Sequence, residues 1–200
     1  LGSHSISKSK LLNKLELEKY LKINIREKLI LVTFHPVTLE KNESKFHVKN
    51  LVRFLNTLKK MTIIITSPNS DSENNIINKE LSNFSRKDDV HYFKSLGNLA
   101  YISLMKQAYL VIGNSSSGIL ETPSFGTKTI NIGNRQSGRI ISKNIINCEY
   151  NFNSINQAFF KIKKKSKKIS NIFFKKDTPK KIAKKILSFN YKLKKNFYDL

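Results

Sequence analysis

Short apolar segments alternate along the chain with longer segments in which apolar residues recur at helical spacing. Residues 29–34 (LILVTF) and 61–66 (MTIIIT) are near-continuous apolar runs, a pattern typical of strands that are covered on both faces. Further strands are predicted at residues 90–93, 109–112, 128–132 and 144–148. This repeated strand–helix alternation predicts an α/β fold with a doubly wound parallel sheet, and residues 1–200 form one domain.

The helices between these strands are predicted from stripes of apolar side chains. They begin at Ser44, near residues 72 and 99, and near Ser116, and two Lys-rich helices follow from about residue 154 onward, separated near Pro179. Proline suits the first turn of the second Lys-rich helix. The side chains expected to face the core from the first two helices are Phe46, Leu51, Phe54, Leu55, Leu58, Ile76, Ile77, Leu81 and Phe84.

Polar residues stand directly after several of the predicted strands. His35, Asn69, Ser95 and Ser115 each occupy such a position. Ligands of open parallel sheets bind beyond the carboxyl ends of the strands, where loops lead into helices. We therefore expect a ligand site at this edge of the sheet.

The loop at residues 113–118 (GNSSSG) is the most informative segment. Free N–H groups at a helix start, serine hydroxyls and glycines that permit close approach are typical of a phosphate site, although one of the serines would suffice as an ordinary helix N-cap. The loop lacks the Gly-Lys-Ser/Thr of a P-loop and the spacing of a dinucleotide fingerprint. It also lacks the Gly-x-Ser-x-Gly of a nucleophile elbow, which argues against a hydrolase triad.

Three further side chains have the chemistry to support such a site. Glu121 is expected in the second turn of the helix, where its carboxylate could accept from a ribose diol or simply face solvent. Arg135 and Arg139 follow the next strand and suit bidentate phosphate contact, unless they are ordinary surface residues. His35 could donate to a phosphate or transfer a proton, or do neither.

The charge of the chain requires a separate explanation. The formal net charge is +23, with 32 Lys but only 5 Arg, and residues 151–200 carry 15 Lys against two Asp. Such a segment could bind RNA or an acidic membrane. Nucleic-acid readers rely on Arg, which is absent from residues 151–200, so we favour a solvated Lys-rich surface and expect no specific nucleic-acid partner.

Several classes of protein are excluded or disfavoured by simple features. The apolar runs are much shorter than the roughly 18 residues of a membrane span, so we expect none. Cys148 is the only cysteine, which excludes an internal disulfide and fits a reducing compartment. Residues 1–10 lack the apolar region of a secretory signal. We expect a cytoplasmic protein with no metal or other cofactor.

Several segments together resemble one known family. They are residues 33–38 (TFHPVT), 113–119 (GNSSSGI), Glu121, 123–126 (PSFG) and 131–139 (NIGNRQSGR). In this order and spacing they resemble the hydrolysing UDP-N-acetylglucosamine 2-epimerases of sialic-acid and legionaminic-acid-type sugar synthesis. The non-hydrolysing branch carries His-Arg-Arg-Glu-Asn and Ser-Gly-Gly at the corresponding places.

The resemblance implies a fold and a set of contacts. The chain is similar to the C-terminal Rossmann-like domain of a two-domain GT-B arrangement. The resemblance implies that Ser115, Ser116 and Gly118 bind the diphosphate and that Glu121 binds the ribose hydroxyls. It further implies that His35 and Arg135 lie beside the phosphates. Asn69 and the backbone around Ser95 and Leu96 would flank the uracil.

The implied reaction eliminates UDP to give a 2-acetamidoglucal, to which water adds to give the 2-epimeric free sugar. The family's acidic catalytic residues belong to an N-terminal half, as a domain or a partner chain, that is absent here, so we expect this chain alone to be inactive and the complete enzyme to be a homo-oligomer. The alternatives are a GT-B glycosyltransferase domain for another nucleotide sugar and a non-catalytic RNA- or membrane-binding module.

Overall fold

A computed structural model describes residues 2–38, 40, 42–164 and 171–189, and this part of the chain contains one parallel sheet. Its strands are β1 (Leu29–Thr33), β2 (Thr62–Thr66), β3 (Val90–Phe93), β4 (Leu110–Gly113), β5 (Thr129–Ile132) and β6 (Ile145–Cys148). Their order is β3-β2-β1-β4-β5-β6, and every neighbouring pair is parallel. The predicted doubly wound parallel sheet is confirmed.

Helices cover both faces of the sheet. They are α1 (Gly2–Lys8), α2 (Lys14–Leu21), α3 (Ser44–Leu55), α4 (Asn74–Phe84), α5 (Gly97–Gln107), α6 (Ser117–Leu120), α7 (Phe152–Lys163) and α8 (Thr178–Leu187), with a 3₁₀ turn at Thr122–Ser124. Neither α1 nor α2 is predicted from the apolar pattern of the sequence. Asn13 and Glu16 form a reciprocal capping box at the start of α2, and that spacing could have revealed the helix.

Two separate apolar cores explain why the strand sequences are apolar throughout. Ile30 and Val32 of β1 pack with residues of α3, α4 and α7 on one face. Leu29 and Leu31 pack with residues of α2 and α5 on the other face. Successive side chains of a strand point to opposite faces, so a strand that is covered on both sides needs no polar positions.

Two side chains that were expected in the core lie at the surface. Phe46 is 54% and Ile76 is 36% exposed, whereas Val48 and His47 are buried. Within α3 the buried residues Val48, Leu51 and Leu55 follow the three- and four-residue spacing of a helix face, and Phe46 falls outside this face. The His47 ring instead stacks on Tyr150, with ring centroids 3.5 Å apart.

The helix after the serine loop is shorter than expected. α6 is one turn long, and Glu121 ends it before the 3₁₀ turn begins, so Glu121 does not lie within a second helical turn. The physical reason is Pro123, which disfavours the α conformation for the residue before it. Any contribution of a helix dipole at this loop is correspondingly small.

The two Lys-rich helices are confirmed where the structure describes them. The Asn151 side chain caps α7 by accepting a hydrogen bond from the Ser154 N–H at 2.9 Å. Pro179 lies in the first turn of α8. Residues 165–170 and 190–200, which carry several of the lysines of the C-terminal segment, lie outside the described residues. No helix of the described part is long and apolar enough to cross a bilayer.

Candidate functional site

Asn114 joins three loops at the carboxyl edge of the sheet. It follows β4 and is fully buried. Its Oδ1 accepts from the His35 backbone N–H at 2.7 Å, and its Nδ2 donates to the His35 carbonyl at 2.8 Å. The Asn114 carbonyl accepts from Arg135 Nη1 at 3.4 Å and from Gln136 Nε2 at 2.9 Å. The loops after β1, β4 and β5 are therefore held together by one residue.

His35 is a neutral imidazole in this position. Its Nδ1 accepts a hydrogen bond from the Asn69 backbone N–H at 3.0 Å, so the proton of the neutral ring resides on Nε2. The pKa of His35 is lowered to about 4, chiefly by burial and also by the Arg135 cation, while Asp71 opposes this effect. At neutral pH the residue can therefore act as a hydrogen-bond donor but carries no charge.

Arg135 supplies the positive charge at this edge. Its Nη2 lies 3.8 Å from Asp71 Oδ2, and its side chain is 26% exposed. Asp71 in turn accepts from Asn69 Nδ2 at 2.6 Å, while the Asn69 Oδ1 is buried without a hydrogen-bond partner. Arg139 is exposed, so the structure brings only one of the two candidate arginines to the site.

The serine loop is held close to β1 and β5 by its glycines. Gly113 has φ +146°, and a Cβ there would lie 1.9 Å from the Thr33 carbonyl oxygen, so this close approach requires glycine. A Cβ on Gly118 would lie 3.3 Å from Thr129 Cγ2. Because glycine has no Cβ, α6 can pack closely against β5. The Ser116 side chain makes no capping hydrogen bond.

A cleft of about 400 Å³ lies beside Ser115 and is lined by several of the predicted ligand residues. Its size is ordinary for a small-molecule site. Ser95, Leu96, Ser115 and Glu121 all border it, and Tyr101 joins them from α5. Burial raises the pKa of the Glu121 carboxyl. The Leu96 side chain itself is buried, so any contact to a base at this position involves its backbone.

A second cleft, of about 460 Å³, lies beside Arg135 and is lined by charged groups. Glu40 and Asp71 border it with Asn134, and Asn134 Nδ2 donates to Glu40 Oε1 at 2.5 Å. The other oxygen of Glu40, Oε2, lies 3.8 Å from His47 Nε2. Burial lowers the pKa of His47, opposed by this carboxylate.

The structure thus gathers the predicted residues into two adjoining groups. His35, Asn69 and Arg135 form one, and the residues that line the 400 Å³ cleft form the other. Sequence reasoning missed Asn114, which it quoted only as part of the loop, and Tyr101. Among the described residues, no group of His, Cys, Asp and Glu is arranged to hold a metal ion. Burial raises the pKa of Cys148 to about 12, with the nearby Glu149 adding to the effect, which makes this thiol unreactive.

A comparison with protein families identifies the family of this chain. The model described as UDP-N-acetylglucosamine 2-epimerase matches residues 2–187. The chain belongs to this family. The resemblance inferred from the sequence is confirmed at that level.

Two curated members of the family carry similar sequences. The GDP/UDP-N,N'-diacetylbacillosamine 2-epimerase (hydrolyzing) of Campylobacter jejuni is 42% identical over 167 residues, which cover 82% of this chain and 43% of that protein. The UDP-N,N'-diacetylbacillosamine 2-epimerase (hydrolyzing) of Legionella pneumophila is 30% identical over 129 residues, 64% of this chain and 34% of that protein.

A solved structure shares the fold. The Methanocaldococcus jannaschii UDP-GlcNAc 2-epimerase, solved in complex with UDP-GlcNAc and UDP, superposes with a TM-score of 0.67 at 15% identity and covers 93% of this chain. The alignment takes in 51% of that enzyme, a GT-B-type protein. The chain thus spans about half the length, or less, of the relatives it matches.

Proposed function

We propose that this chain is the UDP-binding half of a hydrolysing UDP-N-acetylhexosamine 2-epimerase. The complete enzyme would eliminate UDP from its substrate, and water would add to the resulting 2-acetamidoglucal to give the 2-epimeric free sugar for nonulosonic-acid synthesis. Two relatives of this chain are named as hydrolysing 2-epimerases of an acetylated amino sugar, and their names support the substrate class.

The observation that carries this proposal is the set of donors at one edge of the sheet. Arg135 contributes a charge, His35 contributes a neutral ring N–H, and Ser115 contributes a hydroxyl beside the cleft. A diphosphate needs several donors of this kind, and charged and neutral donors act together on its oxygens. Ser116 and Gly118 would add backbone N–H groups from the same loop.

The cleft beside Ser115 suits the nucleoside part of the ligand. The half-buried Glu121 carboxylate would accept from both ribose hydroxyls, as acidic residues do in other nucleotide folds. The backbone of Ser95 and Leu96 borders the same cleft and would flank the uracil. Asn69 lies with His35 and Asp71, so we assign it to the phosphate side rather than to the base.

The contribution of these residues to the reaction would be electrostatic. Elimination develops negative charge on the departing diphosphate, and fixed donors stabilise that charge without reorganising. The Asn114 clamp fixes the backbone of His35 and approaches the Arg135 side chain. The base for the sugar and the acid for the leaving oxygen would come from the other half of the enzyme.

α8 offers a surface on which that other half could pack. Ile182, Ile186 and Leu187 are 40%, 67% and 87% exposed, and Phe189 after the helix is 59% exposed. An amphipathic helix normally buries its apolar stripe against another element. The exposed stripe and the length of the relatives together support our proposal that a second domain or partner chain covers α8.

Isothermal titration of the 200-residue chain with UDP and with UMP tests the diphosphate assignment. We expect UDP to bind more tightly, because its second phosphate adds charge beside Arg135 and the serine loop. Equal affinities for UDP and UMP would refute the assignment. With the other half present, release of UDP and free sugar without an acceptor supports a 2-epimerase, whereas a requirement for an acceptor indicates a glycosyltransferase.

The excess of lysine provides a second discriminating experiment. A nucleic-acid site loses affinity steeply and linearly in the logarithm of the salt concentration. We expect only weak, sequence-independent RNA binding that is lost near physiological salt. Tight binding that survives such salt and disappears when residues 161–200 are removed would favour an RNA-binding module.

A further inference from the structure

A chain of five hydroxyl groups links Thr66 to Ser115, and all five residues that carry them border the 400 Å³ cleft. Thr66 Oγ1 lies 2.9 Å from Thr33 Oγ1, which lies 3.1 Å from the Tyr101 hydroxyl. The Tyr101 hydroxyl lies 2.7 Å from Ser117 Oγ, and Ser117 Oγ donates to Ser115 Oγ at 3.0 Å. Every link lies within hydrogen-bond distance.

The number of protons in this chain determines what it can present to a ligand. Five hydroxyls carry five protons, and the four links between them use four. One proton is therefore left over, and the direction of the links decides which of the five hydroxyls carries it. If all links point inward, it lies on Thr66, whose Oγ1 can donate to the Val32 carbonyl at 3.4 Å. If all links point outward, it lies on Ser115 at the cleft.

Ser117 uses its one proton on Ser115, so every link behind it must also point outward if all four are made. Two contacts at Ser115 agree with this arrangement. Ser115 Oγ accepts from the Ser117 hydroxyl, and it also accepts, at 3.4 Å, from the Ser117 backbone N–H. An oxygen that accepts twice has its own proton free for a further partner. Hydrogen bonds in a chain polarise one another, so each hydroxyl behind Ser115 strengthens its donor character.

We propose that Tyr101 is a positioning residue for the diphosphate, because its hydroxyl connects the interior threonines to Ser117 and so directs the free Ser115 proton toward an anion. The inference rests on the proposed function, in which Ser115 binds UDP. Burial raises the pKa of Tyr101, with the Ser117 and Thr33 hydrogen bonds opposing the rise, so the phenol keeps its proton at neutral pH. Its aromatic ring need not touch the ligand for this role.

Calorimetric titration of UDP and uridine into the 200-residue chain tests the proposal through a double-mutant cycle. We expect Ser115→Ala to weaken UDP binding about tenfold and Tyr101→Phe about threefold, with uridine binding unchanged in both. If Tyr101 acts through Ser115, Tyr101→Phe has no further effect in the Ser115→Ala chain. Tyr109→Phe, the same change at the opposite end of β4, serves as the control and leaves both affinities unaltered.

The possible failures are distinguishable. Wild-type chain that does not bind UDP would refute the proposed function and this inference together. UDP binding that is weakened by Ser115→Ala but not by Tyr101→Phe would overturn the inference alone. So would a Tyr101→Phe effect of the same size in both backgrounds, or an equal loss for uridine, because either result indicates a general packing role. A Tyr101→Phe loss that is confined to UDP and vanishes in the Ser115→Ala chain confirms that the hydroxyl acts through Ser115.

Discussion

The two clefts on either side of Asn114 differ in how they can hold a ligand. Several hydroxyl-bearing side chains line the cleft beside Ser115, together with Lys94 and one acidic residue, Glu121, and burial raises the pKa of the Glu121 carboxyl. The cleft beside Arg135 is lined by Glu40, Asp71 and Arg135. Neutral donors suit the ribose and base, whereas full charges suit phosphate and mobile partners.

Under the proposed function, the two clefts would separate binding of the nucleoside from the reaction at the sugar. The hydroxyl cleft is pre-formed by links that join β1, α5 and the serine loop, which favours a fixed nucleoside position. The charged cleft is joined by the 3.8 Å pair of Arg135 and Asp71 and by the hydrogen bond from Asn134 to Glu40, and a partly exposed ion pair of that length contributes little rigidity. We expect the sugar and the other half of the enzyme on the charged side.

The largest expected effect is the absence of turnover by the 200-residue chain. We expect the base for the sugar and the acid for the leaving oxygen to come from the other half of the enzyme, and such groups typically contribute roughly 10²–10⁴-fold each. The loss of domain closure removes positioning and water exclusion as well. The measurement is release of UDP and free sugar from UDP-N-acetylglucosamine. Turnover within about tenfold of a two-domain relative would show that His35 or Glu121 has the wrong role here.

The next largest effect is expected for Asn114→Ala, which removes the side chain that joins the loops beside the two clefts. This change leaves the His35 N–H and carbonyl without partners, so we expect a loss of about 3 kcal/mol in the free energy of unfolding, measured by urea titration. UDP affinity should fall by about tenfold or more, because His35 and Arg135 lose their common support. Asn83→Ala on the exposed face of α4 should change neither quantity. A wild-type affinity in Asn114→Ala would show that the two clefts are independent.

A smaller effect separates the two arginines of the loop after β5. Arg135→Ala should weaken UDP binding about tenfold, the loss expected for one charge-assisted contact. Arg139→Ala is the matched control, because the same charge is removed at an exposed position, and it should leave the affinity unchanged. Equal losses would indicate a diffuse electrostatic effect of net charge in place of a contact.

Much of the fold could be predicted from sequence because local patterns determine it. Strands that are covered on both faces have few polar positions, so β1 and β2 were evident. α1 was not, because it has no buried residues and therefore no apolar stripe to detect. The length of α6 depends on Pro123, a local signal that the sequence analysis used only as part of a motif.

Most of the predicted residues of the candidate site directly follow a strand. His35 and Ser115 occupy such positions, and parallel pairing of β1 with β4 brings their loops together. The clamp between Asn114 and His35 joins residues 79 positions apart, and no local pattern reports which side chain folds back on which peptide. Tyr101 was not predicted for a similar reason, since an aromatic residue in a helix usually packs in the core and contacts no ligand.

The smallest expected effect is on the titration of His35. The pKa of His35 in the chain without UDP is about 4. UDP should raise this pKa by about one unit, because a nearby anion favours the charged imidazolium. Arg135→Ala should also raise it, because the like charge is removed. Proton NMR of the imidazole Cε1–H follows both changes, and the resonance of His91 on β3 serves as the control that UDP leaves unchanged.

The same low pKa predicts how stability varies with pH. The unfolded chain takes up a proton near the ordinary value of 6.5, whereas the folded chain does so near 4. The unfolded state therefore binds more protons between these values, and the contribution of His35 to the free energy of unfolding falls as the pH is lowered from about 6.5 to about 4. His35→Gln should reduce the slope of stability against pH in this window. A His35 pKa near 6.5 in the free chain would contradict both expectations, and it would mean that the imidazole meets the diphosphate as a cation at slightly acidic pH.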